Sequence, residues 1–80
     1  MILEVKIVEG DEWEALYFNG HLMTECAKID TYILLDALQV FLRGEQSVAD
    51  ITYEFYYAYA YTQDNDEFPS EFSEDIIDEV

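Results

Sequence analysis

Asn19-Gly20 is the local feature that most constrains this chain. Both residue types tolerate positive φ, and the pair between two alternating runs is the strongest short signal for a two-residue hairpin. Upstream, Trp13, Ala15 and Tyr17 fall on one face and Glu12, Glu14, Leu16 and Phe18 on the other. Downstream, a strand is expected over His21 to Ala27. Ahead of the hairpin, Leu3, Val5 and Ile7 alternate with Ile2, Glu4, Lys6 and Val8 until Glu9-Gly10-Asp11 interrupts them with turn chemistry. Links this short join neighbouring strands, so an antiparallel meander is expected.

Asp30 can cap a helix over 31–43, where Ile33, Leu34, Ala37, Leu38, Phe41 and Leu42 form a wide apolar stripe and Gly44 is a natural stop. That helix should cover one sheet face. Ile51, Tyr53, Phe55, Tyr57, Tyr59 and Tyr61 then alternate with Thr52, Glu54, Tyr56, Ala58 and Ala60, which predicts a further strand. Its Ile and aromatic face reads mostly as core, with Tyr56, Tyr59 and Tyr61 as residues that can face a partner. The expected fold class is α+β: a small antiparallel sheet of three to four strands in the order ββ(β)αβ, with one helix packed on it. Residues 1–61 form the domain and 62–80 an acidic C-terminal tail, in which Ser70 offers a cap for a short helix carrying Phe72, Ile76 and Val80.

Composition bears on function more than on fold. The chain of 80 residues holds 19 Asp or Glu against 3 Lys or Arg, a net charge of -16. Many such chains are disordered, but this one is 51% hydrophobic and 16% aromatic, enough apolar material for collapse. So negative a surface repels phosphates, which argues against direct binding to nucleic acid or an anionic membrane. No run approaches a membrane span, and MILEVKIVEGDEWE carries acids where a secretory signal needs a basic start. A cytoplasmic protein is expected.

Catalytic chemistry finds no support in the residue pattern, and no enzyme activity or cofactor is expected. Cys26 and His21 lie an odd number of residues apart on one strand, which sets their side chains on opposite faces. One Cys and one His cannot make a structural zinc site. Asp64-Asn65-Asp66-Glu67 resembles the opening of a calcium loop, but Phe68, Pro69 and Asp75 then fall where an oxygen ligand, a glycine and a glutamate are needed.

What remains is the charge. A chain of this mass exposes roughly 5,000 Å², or about 300 Å² per net charge if spread evenly, some threefold more dilute than the surface of B-DNA. Gathered on half the surface, the charge comes close. This composition resembles that of small phage-encoded DNA-mimic proteins, which block restriction, CRISPR, repair or nucleoid proteins by occupying their DNA channels. The run GDEWEALYFNGHL is also similar to a Gly-Asp-x-Trp-x-x-Leu-Tyr-x-x-Gly pattern of short phage proteins, to which no function attaches. The resemblance implies an anti-defence inhibitor in the host cytoplasm whose partner is a basic nucleic-acid-binding protein.

The candidate partner-binding residues are Glu9, Asp11, Glu12, Glu14, Asp50, Glu54, Asp64, Asp66, Glu67, Glu71, Phe72, Glu74, Asp75, Ile76, Asp78 and Glu79. Two further readings stand beside mimicry. In one, the Phe-containing tail docks in a basic, apolar groove of a partner by coupled folding. In the other, the acidity is an adaptation to high salt. A monomer is expected, with self-pairing of the tyrosine-rich strand as the route to a dimer.

Overall fold

The computed structural model describes residues 2–43 and 50–78. It is α+β, with one mixed four-stranded sheet. Strands β1 (Ile2–Glu9), β2 (Glu14–Phe18) and β3 (His21–Cys26) precede helix α1 (Thr31–Leu42), strand β4 (Asp50–Tyr57), a short helix α2 (Tyr59–Asp64) and one turn of 3-10 helix (Glu74–Ile76). Their order in the sheet is β3-β2-β1-β4. No helix among the described residues is long and apolar enough to cross a membrane.

The hairpin forms where Asn19-Gly20 places it. Asn19 and Gly20 have φ of 51° and 84°, and Phe18 pairs with His21 across them. Asn19 also continues the ladder onto β1: its N–H donates to the Glu4 carbonyl, and its side-chain oxygen accepts from the Glu4 N–H, both at 2.9 Å. Helix α1 begins as expected, with Asp30 Oδ1 accepting from the Ile33 N–H at 2.9 Å.

The last strand departs from the all-antiparallel sheet: β4 joins β1 in parallel, with Leu3 opposite Ile51 and Glu9 opposite Tyr57. The connection explains it. A helix of 12 residues is about 18 Å long and carries the chain back along the sheet, so β4 sets out in the same sense as β3 and β1. The strand also ends early. It stops at Tyr57, and Tyr59 and Tyr61 belong to α2. The helix begins there because the Asp78 carboxylate accepts from the Tyr59 and Ala60 N–H groups at 3.0 and 3.3 Å, closing its N-terminus from 19 residues away.

Each sheet face is covered by a different element. Against one, α1 packs Leu34, Ala37, Leu38 and Phe41 on Leu3, Val5, Leu16 and Phe18. Against the other, residues 59–78 pack Tyr61, Phe68, Phe72, Ile76 and Ile77 on Val8, Ala15 and Tyr17. Covered on both sides, β2 buries Ala15, Leu16, Tyr17 and Phe18 completely. The acidic segment is thus a structural layer. The short helix expected from Ser70 is replaced by the single turn at Glu74–Ile76, which Ser73 caps.

Candidate partner-binding surface

The acidic layer is built from the inside outward. Phe68 is 3% exposed and meets Trp13 edge-on at 5.7 Å, and Ile76 is 7% exposed. Phe72 packs edge-on against Tyr17 and close to Tyr56, with the Lys6 ammonium 4.8 Å from its ring. Backbone bonds hold the segment to β3: Leu22 N–H donates to the Ser70 carbonyl and Phe72 N–H to that of Gly20. Glu25 anchors it from below, accepting from Phe68 N–H at 2.9 Å and Trp13 Nε1 at 3.0 Å. With its apolar residues turned in, the segment turns its acids out.

Those acids form one surface with the β1–β2 turn. Gly10 is where the two touch, because a Cβ built on it would lie 2.5 Å from Thr62 Cγ2 and 2.9 Å from the Trp13 carbonyl oxygen. Only glycine allows that approach. Beside it, Asp11 N–H donates to Thr62 Oγ1 at 2.8 Å, and the Tyr59 hydroxyl donates to the Glu9 carboxylate. That bond, with burial next, pushes the Tyr59 hydroxyl up to about 12. Tyr17 donates to the Pro69 carbonyl at 2.7 Å, and its pKa is raised first by burial and then by Glu25 and Tyr61. Tyr56 is raised too, by desolvation and then by its bond to Glu54.

Of the candidate residues, Asp11, Glu12, Asp64, Asp66, Glu67, Glu71, Glu74 and Asp75 are exposed on this surface, with Glu9 half-buried at its edge. Glu71 accepts from His21 Nδ1 at 2.9 Å. The others are placed differently. Glu14 ties down the β3–α1 connection by accepting from Ile29 N–H at 2.7 Å, and Asp78 is the cap of α2. Glu54 lies 3.7 Å from Lys6, which also meets Glu4. Asp50 opens β4, seven residues and therefore about 23 Å from the strand end that meets the acidic layer. Phe72 and Ile76 face inward, and Glu79 lies outside the described residues.

A second surface was misassigned by sequence reasoning. On β4, Tyr56 is the half-buried residue under Phe72, whereas Tyr53, Phe55 and Tyr57 are 51%, 68% and 56% exposed. The face expected as core is open, and the tyrosine expected to be open is packed. Periodicity identified the two faces but held no information on which would be covered.

Among the described residues, no group of three or more His, Cys, Asp or Glu is disposed to hold a metal ion. No protein-family model matches the chain, and neither a curated protein nor a solved structure is significantly similar to it.

Proposed function

We propose that this protein is a DNA-mimic inhibitor that occupies the basic nucleic-acid-binding cleft of another protein with its acidic layer. The observation that carries this reading is the way residues 59–78 fold: seven acids and no base stand on a segment whose Phe68, Phe72 and Ile76 are anchored in the core. Carboxylates held on a packed scaffold replace phosphates as acceptors for Arg and Lys without the ordering cost of a free tail. The dimensions suit the role. The described residues hold 17 acids and three bases along a body of 39 × 22 × 18 Å. That is about one net charge per 3 Å of length, within a factor of two of the ~1.7 Å per phosphate of B-DNA. The tail-docking reading needs Phe72 and Ile76 as free anchors, and here they fill the protein's own core.

Competition tests the proposal. A partner captured on the immobilised protein should be released by duplex DNA. Changing Asp64, Asp66, Glu67 and Glu71 together to Asn or Gln should weaken capture by about 10- to 100-fold, with each single change contributing less than about 1 kcal/mol. A partner that DNA does not displace, or that binds the fourfold variant as tightly, overturns the reading.

A further inference from the structure

The two edges of the sheet are treated differently. The β3 edge is covered by Ser70–Phe72, through the paired bonds of Leu22 and Gly20 and the bridge between His21 and Glu71. The β4 edge is open over most of its length: among the described residues no strand pairs with its outer side, although it is eight residues long, and at its end the Tyr57 carbonyl accepts from the Asp78 N–H at 2.7 Å. It has no proline, no lysine and no bulge to blunt that edge, and its only charged side chains are Asp50 and Glu54. Beside that edge, Ile51, Tyr53, Phe55 and Tyr57 present an apolar stripe on the α1 side of the sheet, all between 38% and 68% exposed.

From this geometry we infer that β4 is a docking edge for an extended basic segment of a partner, which adds as a fifth strand. Its apolar side chains would lie on the Tyr53–Tyr57 stripe, and its Lys or Arg side chains would alternate onto the opposite face beside Glu54. Charge selects this occupant over a second copy of the chain. The charged groups of β4 are Asp50 and Glu54, and the cations near it are outnumbered by acids: Lys6 lies between Glu4 and Glu54, and Lys28, which shares a cavity with Phe55 and Tyr57, stands there with Glu9 and Glu14. Pairing two copies would bring together chains of net charge -16 and set acids near acids, whereas a basic strand meets complementary charge along the same edge. Main-chain bonds would supply affinity and the alternation specificity, as in other strand additions. The apolar stripe lies on the sheet face opposite the acidic layer, and the pairing uses the β4 main chain, so the inference does not depend on DNA mimicry.

An alternating Lys-Val peptide matching the length of β4 tests it, beside a peptide of the same composition with its lysines and valines in separate blocks, and an alternating Glu-Val peptide. Amide shifts and hydrogen exchange of the full chain report where each binds. The alternating Lys-Val peptide should perturb and protect Tyr53 to Tyr57, and Phe55→Ser should weaken it by about tenfold or more, as loss of a central anchor does. Tyr32→Ser, on the outer side of α1, should leave it unchanged. Equal binding of the block or Glu-Val peptide, perturbation confined to residues 64–78, or self-association of the chain through β4 would each overturn the inference. The wild-type map decides the matter even if the Phe55 variant does not fold.

Discussion

Helix α1 and the segment 59–78 lie on opposite faces of one sheet, and each presses aliphatic and aromatic side chains against it. Their outer sides differ. Residues 27–43 carry Lys28 and Arg43 against Asp30 and Asp36, and expose Tyr32, Leu35 and Val40. Residues 59–78 expose acids without a single base. The helix satisfies its own backbone, so few constraints fall on its outer face. The C-terminal layer has little regular structure and depends on bonds to the sheet, to Glu25 and to Asp78. Burial and charge are thus separated on a single short segment: its apolar residues secure it, and its acids define the surface.

The largest test of that contrast removes the acidic layer. Deleting residues 62–80 strips Phe68, Phe72 and Ile76 from the core at roughly 2 kcal/mol each, and uncovers Tyr17 and Val8 as well. Against the ~5–15 kcal/mol of a typical domain, the truncated chain should show no cooperative melt. A cooperative transition would mean that the segment is a tail after all. Next in size, Ile76→Ala should cost about 2–4 kcal/mol by denaturant unfolding, whereas Leu35→Ala on the outer side of α1 should stay within about 0.5 kcal/mol.

Gly10→Ala should cost about 1–3 kcal/mol, because Thr62 and the Trp13 carbonyl leave no room for a Cβ. Thr62→Ser, which removes the nearest methyl, should recover part of that loss but not all, since the Trp13 carbonyl remains. Salt should separate the layers more gently. Raising it from about 0.02 to 0.5 M should raise the melting temperature by screening repulsion within the acidic layer. The response should shrink in the Asp64, Asp66, Glu67, Glu71 fourfold variant and persist in Asp36→Asn.

The smallest effect is confined to alkaline solution. The Tyr17 and Tyr59 hydroxyls titrate above their ordinary value of 10.0, Tyr59 at about 12. The native state therefore holds these protons to higher pH than the unfolded chain. Their contribution is complete below pH ~10 and is lost as pH rises through the folded values. Ultraviolet titration of the seven tyrosines should show these two and Tyr56 ionising late, and Tyr59→Phe should flatten the loss of stability above pH ~10.

The hairpin at Asn19-Gly20, the capped helix from Thr31 and the two-faced character of β2 were legible in the chain itself. Each depends on positive φ, a side-chain cap or a residue period, all expressed within a few positions. The acids of the β1–β2 turn and of 64–75 were identified as candidate surface residues, because a charged side chain seeks water in almost any fold. Other features depended on contacts between distant residues. Asp78 ends the tyrosine-rich strand by capping α2, Glu25 draws Phe68 inward, and the α1 crossover makes β4 parallel to β1. The stripe on β4 shows the division most plainly. Tyr56 and its neighbours Phe55 and Tyr57 have similar side chains and the same period, and nothing local distinguishes their two faces. Phe72, 16 positions beyond Tyr56, covers one face, while α1 packs on β1 and β2 and leaves the other open. Which aromatic side chains become core is decided by the element that arrives to cover them.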